Sequence, residues 1–312
     1  MTVSISKSQI NIRDLHDDGR RNLNKEATSQ EVTKRGTLRG GNSGCVLADG
    51  RIVGKCSRLS HLRSVGIDEE KDIDTYLMFA AGFLNEDAWL DCLKASWQGT
   101  IKCEEEIPVS WTTENGIVVT GRPDIVLCSS SGKPELGLEL KLVSSPTTAY
   151  NVAAKGLPNL DHIIQAAHYM WQLDTPFKLV YTSRSVYGLG FPAMQKKWKE
   201  QPQFLNEEEG WKTKPFVVDY DLWFDNGTLC YSATHIGQEV QTGVTLDGIV
   251  SYYEKTSKMA ESKDLGPRVT TLNADGTKPS WTKCGSCSFS EQCDNFEHDY
   301  ELWLDNIRSE HE

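Results

Sequence analysis

Asp124, Glu139 and Lys141 are the residues of this sequence best placed to do chemistry together. They lie in GRPDIVLCSSSGKPELGLELKL, residues 121 to 142, a stretch that predicts a β-hairpin. Apolar and β-branched residues run from Ile117 to Leu127, SSSGKP is turn chemistry, and Leu136 to Val143 is apolar again. Strand side chains alternate, so Glu139 and Lys141 share one face while Leu138, Leu140 and Leu142 share the other. Two carboxylates and one ammonium on a mostly apolar hairpin are costly to desolvate unless something pairs them. A divalent cation between the carboxylates would do so, with the lysine beside the water bound there. The alternative is a hairpin with one solvated face, on which Glu139 and Lys141 are ordinary polar positions.

A second group of chemistry-bearing residues lies in WTKCGSCSFSEQCDNF. Cys284, Cys287 and Cys293 form a Cys-x2-Cys-x5-Cys run in loop-like sequence. Three thiolates so close suit a metal centre. A four-sulfur site needs one more ligand, for which Cys56 is the first candidate and Cys45 the reserve; Cys92, Cys103, Cys128 and Cys230 read as core fillers. The C-terminal loop carries little apolar sequence with which to dock itself, so a staple there would have a structural purpose.

Pro123-Asp124 in one strand followed by Glu139-Leu140-Lys141 in the next resembles the signature of the PD-(D/E)xK nuclease superfamily. Gln165 and Tyr169, four residues apart on one helical face, match the Gln-x-x-x-Tyr motif of its RecB-like branch. That branch usually carries Gly-x-x-x-His on the first core helix; here Gly82-Phe-Leu-Asn-Glu86 places glutamate, itself a good ligand for a hard metal, at the histidine position. One cysteine before the core and three after it are similar to the iron–sulfur nucleases, among them AddB-type helicase–nuclease subunits and CRISPR-associated adaptation nucleases, with phage relatives a further possibility. The resemblance covers about residues 50 to 296 through four ordered motifs.

What it implies is specific. The fold would be α/β with a restriction-endonuclease-like αβββαβ core, a central mixed sheet flanked by helices, and an iron–sulfur C-terminal staple. Glu86, Asp124, Glu139 and the backbone carbonyl of Leu140 would hold Mg²⁺ or Mn²⁺. Lys141 would orient water or neutralise developing charge, with Gln165 and Tyr169 positioning it. Cys56, Cys284, Cys287 and Cys293 would hold a 4Fe–4S cluster, and structural Zn²⁺ fits the same ligands. The activity would be a metal-dependent deoxyribonuclease, an exonuclease acting on single strands or DNA ends in recombination, repair or phage DNA processing. A site- or structure-specific endonuclease on the same core, or a catalytically inactive DNA-binding module, are the alternatives.

These side chains need a scaffold, and the sequence predicts one. Asp72 to Trp97 reads as a buried helix broken at Gly82, followed by strands in CEEEIPVSW, ENGIVVTGRPDIVL and ELGLELKLVS. SSPTTAYNVAAKGLPNLDH reads as a loop, HIIQAAHYMWQL as a helix with His162 and His168 as supporting or surface residues, and FKLVYTSRS as a strand. Lys196, Lys197 and Lys199 around Trp198 suit single-stranded nucleic acid, phosphate contacts with a stacking platform, as well as they suit an amphipathic surface helix. Arg35 and Arg39, in a glycine-rich loop, read as solvated. The chain divides into an arm and loop (1–49), the nuclease-like domain (50–296) and a C-terminal helix or tail (297–312).

With 312 residues, the chain could form two domains or one elaborated α/β domain. Hydrophobic residues make up 38% and charged residues 25%, an ordinary globular balance, and no apolar run is long enough to span a bilayer. The first residues lack the apolar core of a signal peptide, so a cytoplasmic protein is expected, in the host cytoplasm if virus-encoded. Nine cysteines in that setting are thiols or ligands rather than disulfides. A net charge of −11 argues against a general polyanion binder, though not against a locally basic groove. A homo-oligomer or a recombination partner protein is compatible with all of this.

Overall fold

In the computed structural model, the described residues are 7–12, 37–67, 73–103, 106–184, 192–206 and 212–311. Short strands β1 (Leu38–Arg39), β2 (Gly44–Val46) and β3 (Ile52–Gly54) lead into helices α1 (Ser57–Ser64) and α2 (Ile73–Lys94). Strands β4 (Thr100–Cys103), β5 (Val109–Thr112), β6 (Val118–Gly121), β7 (Ile125–Cys128) and β8 (Pro134–Val143) follow. Helices α3 (Pro146–Ala154) and α4 (Leu160–Leu173) then cross over to β9 (Phe177–Ser183). After α5 (Pro192–Lys199) come β10 (Leu205–Asn206), β11 (Lys212–Thr213), β12 (Phe216–Asp225), β13 (Thr228–Ala233), β14 (Gln238–Thr245) and α6 (Leu246–Ser262). Helices α7 (Ser290–Asn295) and α8 (Tyr300–His311) close the chain.

Seven strands make the central mixed sheet, in the order β14-β13-β12-β9-β8-β7-β4. Within it β8 and β9 pair in parallel, with Lys141 beside Tyr181, because the helical crossover between them returns the chain in the same direction. Period-2 alternation sorts the side chains of β8. Leu136, Leu138 and Leu140 join Val180 in packing against Trp89 and Leu93 of α2, with Ile12 also buried there. The opposite face is covered by α4 and α6 through Ile163, Ala166, Tyr169, Ile249 and Tyr253. Helix α4 starts where Asn159 caps it, its side chain accepting from the Asp161 N–H, and stops at Asp174 in the left-handed conformation.

Several expectations need correction. The strand expected over Ile117–Leu127 is two strands in two sheets: β6 pairs with β1 and β5, whereas β7 joins the central sheet. The chain leaves the ladder at Arg122-Pro123, since proline has no N–H to donate. Helix α2 runs unbroken through Gly82. Part of the expected loop after Lys141 is helix α3, started by a Ser145 cap with Pro146 in the first turn. Residues 37–49, part of the expected arm and loop (1–49), carry β1 and β2, and the boundary at residue 49 falls in the turn between β2 and β3; residues 1–6 and 13–36 lie outside the described residues. Cys103 is half-buried, donating its backbone N–H to Glu106, and so is not a core filler.

Trp198 is not a stacking platform. On α5 it is the residue turned inward, fully buried and edge-on to Tyr150 of α3 at 5.4 Å between ring centroids. Lys196, Lys197 and Lys199 remain exposed, so only the phosphate half of that expectation has a surface to act on. Trp198→Ala should destabilise the fold by about 3–5 kcal/mol, whereas Lys196→Ala should stay within about 0.5 kcal/mol of wild type. Urea unfolding of the three proteins checks this. Among the described residues no helix is long and apolar enough to cross a membrane.

Candidate functional site

The hairpin carboxylates meet where β7 and β8 part. The ladder between them ends at the Ile125–Leu138 pair, and Asp124 stands just beyond it, opposite Glu139. Backbone hydrogen bonding there passes to a side chain: the Leu140 N–H donates to Asp124 Oδ2 at 2.6 Å. The N–H and C=O of one strand residue point to the same side, so the Leu140 carbonyl is turned toward the same gap. Glu139 and Lys141 lie on the face covered by α4, not on a solvated one. Lys141 donates from Nζ to Glu139 Oε1. The Glu139 side chain is wholly buried while Lys141 keeps 23% of its surface, so the ammonium is the member of the pair that solvent reaches.

This arrangement is short of positive charge. Burial, and then the neighbouring Asp124, push Glu139 up to about 8 against the pull of Lys141. Burial also raises Asp124, opposed by Lys141 and the Leu140 N–H. Lys141 would be lowered by burial, but Glu139, Asp124 and, more weakly, Glu86 hold it above the ordinary lysine range. Glu86 on α2 therefore belongs to the electrostatic neighbourhood of the hairpin. Among the described residues, Glu139 Oε2 is buried with no hydrogen-bond partner. A buried carboxylate oxygen left bare beside a second carboxylate is the kind of donor set a hard divalent cation satisfies. Among the described residues no three His, Cys, Asp or Glu side chains stand in a metal-holding arrangement. In this structure the Lys141 ammonium and the Leu140 N–H engage the oxygens instead.

Tyr169 and Gln165 come to the same place from α4. Gln165 Nε2 donates to Tyr169 Oη at 3.5 Å, and burial first, then the charge of Glu139, keep the phenol protonated. The ring fits because two glycines admit it. A β-carbon at Gly121 would come within 2.3 Å of Tyr169 Cε1, and one at Gly40 within 2.7 Å. Gly121→Ala should therefore displace the ring, costing about 1–3 kcal/mol, measured by thermal unfolding. Gly121 is the first residue of the Gly-Arg-Pro-Asp stretch, and nothing in the sequence alone tied it to Tyr169. His168 is buried, with Trp111 Nε1–H donating to its Nε2 at 3.0 Å, and burial lowers it to about 3. It is a core residue.

The chain matches no protein-family model and no curated protein.

Cys56, Cys284 and Cys293 form a second locus, tied to the start of α4 through Lys283 and Asp161. Cys56 caps α1 with its thiol held high, first by burial and then by the proximity of Cys293 and Cys284, while the N–H groups of Leu59 and Arg58 favour the thiolate. Cys287 and Cys293 are half-buried against a small core. Cys45 is elsewhere, buried beneath α6 next to Gly248, and burial pushes it to about 11. Cys284 and Cys293 thus lie near Cys56 while Cys45 lies apart, although among the described residues no three cysteines stand in a metal-holding arrangement.

The supposed need for a staple is corrected by that core. Phe289, Tyr300, Trp303, Leu304 and Ile307 bury themselves against Leu62, Met259 and Leu265, so the C-terminal segment docks through its own apolar residues. His61 Nε2 and Tyr300 Oη add a hydrogen bond at 2.9 Å. Lys283, next to Cys284, donates to Asp161 of α4 and to the Gly54 carbonyl, linking the cysteine loop to the helix over the candidate site.

Proposed function

We propose that this protein is a metal-dependent deoxyribonuclease of the PD-(D/E)xK superfamily, RecB-like, degrading DNA from its ends. The observation that carries this reading is the buried Glu139 carboxylate, with one oxygen on Lys141, the other bare, and Asp124 beside it. The order α2, β4, β7, β8, α4, β9, with β8 and β9 parallel, also corresponds to the αβββαβ core of that superfamily. Glu86, Asp124, Glu139 and the Leu140 carbonyl would hold Mg²⁺ or Mn²⁺, supplying Lewis-acid polarisation of a phosphate oxygen and a lower pKa for attacking water.

The chain's own groups account for the rest. Lys141 is a fixed cation, so it serves as hydrogen-bond donor and charge stabiliser for the phosphate and not as a general base. Asp124, by taking the Leu140 N–H, fixes the strand carrying Glu139 and Lys141. Tyr169, bonded by Gln165, lies within electrostatic reach of Glu139 and Asp124, so the pair would position the hairpin from α4. The four cysteines would bind a 4Fe–4S cluster, or Zn²⁺ in its place, that ties α1 to the C-terminal loop.

The reading is tested by incubating the protein with Mn²⁺ and end-labelled linear DNA beside a covalently closed circle of the same sequence. An end-dependent enzyme releases label from the linear molecule and leaves the circle intact. Cutting of the circle would point to an endonuclease on the same core, and binding without any cutting to an inactive DNA-binding module.

A further inference from the structure

A bonded path from the start of α4 to β9, the strand beside the one carrying Lys141, sets the tautomer of one histidine. The Asn159 backbone N–H donates to Tyr181 Oη at 2.9 Å. Tyr181 has one proton, and its other polar contact is His162 Nδ1 at 3.0 Å. Were Oη to accept from both, its own proton would be left without an acceptor in a fully buried site, so the phenol donates to Nδ1 and the imidazole proton sits on Nε2. Tyr181 is the register partner of Lys141, on the face that α4 covers. The His162 ring lies against it at 5.7 Å between centroids and is partly exposed.

The groups around His162 are mostly cationic. Lys141 faces it from β8, Lys55 from the turn after β3 and Lys283 from the cysteine loop, with Asp161 the opposing charge. Asp161 binds Lys283, and lies 3.4 Å from Lys55 Nζ, whose side chain is 41% exposed. Burial first, then Lys141 and Lys55, keep His162 neutral. In a chain of net charge −11, this is a local concentration of donors suited to an anion.

We propose that His162 Nε2–H, with Lys55 and Lys141, forms a phosphate subsite for the nucleotide next to the scissile one, and that Tyr181 is the positioning residue that sets the histidine tautomer. This rests on the nuclease reading, which supplies the strand to be gripped. His162 here donates a hydrogen bond and transfers no proton.

The test measures binding of a fluorescent ten-nucleotide single strand to the full chain in chelator, alongside cleavage in Mn²⁺. His162→Ala should weaken binding about fivefold to tenfold without changing the salt dependence, because no charge is lost. Lys55→Ala should weaken it and lower the salt slope by about one. His162→Gln, which keeps an N–H at that reach, should bind within about twofold of wild type. Tyr181→Phe should bind like His162→Ala, but should have no further effect when combined with His162→Gln, which has no tautomer to lose. Nitrogen NMR of the wild-type ring should show the proton on Nε2. A proton on Nδ1, or a His162→Ala enzyme with wild-type affinity and KM, overturns the subsite while leaving the nuclease reading standing. A wild-type protein that neither binds nor cuts the strand overturns both.

Discussion

Glu139→Gln should be more stable than the wild-type protein at pH 8 in the absence of metal, and inactive. Glu139 is held up to about 8 in the folded chain and has an ordinary value of 4.5. Between those values the unfolded chain has released the proton and the folded chain keeps it. Stability therefore falls as pH rises from about 4.5 and levels off above about 8. Glutamine cannot ionise, so the variant escapes that loss, a gain on the order of 4 kcal/mol at pH 8. At pH 4 the two proteins should melt together. Added Mn²⁺ should raise the melting temperature of wild type and not of the variant. A variant that melts lower than wild type at pH 8 would mean that the Lys141–Glu139 pair is a net stabiliser and that the carboxylate is not under strain for want of a cation.

The second large effect concerns the cysteines. As isolated, the protein should be brown and contain iron and sulfide, and Cys56→Ala, Cys284→Ala, Cys287→Ala and Cys293→Ala should each be colourless. Joining Cys56 to Cys284 closes a loop of more than two hundred residues, worth about 5 kcal/mol in the chain-entropy model of cross-links. Each variant should still fold, because Phe289, Trp303 and Ile307 dock the C-terminal segment without the cluster. The expected signature is loss of colour with a lower melting temperature and retained far-ultraviolet helicity. Cys45→Ala should keep its colour. A colourless wild-type protein holding one zinc would replace the cluster and preserve the tie; wild-type colour in Cys56→Ala would remove Cys56 from it.

The candidate carboxylates were legible because a two-residue period and a turn are enough to put Glu139 and Lys141 on one face, and a four-residue spacing puts Gln165 beside Tyr169. Cys56 was legible as partner to the C-terminal cysteines only through the resemblance, and the structure sets it near Cys284 and Cys293. What could not be read depended on contacts distant in sequence. Gly40 and Gly121 are small because Tyr169 passes both, from segments more than forty residues away. Trp198 among lysines has the pattern of a stacking platform and of a buried anchor alike, and only the position of Tyr150 decides between them. The relay from Asn159 through Tyr181 to His162 joins a helix cap to a strand that follows it, and no local period marks it. Other signals were present and outweighed: Pro123 as a strand breaker, and Ser145-Pro146 as a helix start.

We propose that phosphodiester hydrolysis takes place in the gap between Asp124 and Glu139. Single-turnover cleavage of an end-labelled linear duplex, by wild type and by Glu139→Gln side by side, with Mn²⁺ and after its chelation, tests it most directly. The account predicts release of short labelled products by wild type in Mn²⁺, none after chelation, and a loss on the order of 10³-fold in the variant. Cleavage by Glu139→Gln at the wild-type rate, or by either protein in chelator, would contradict it.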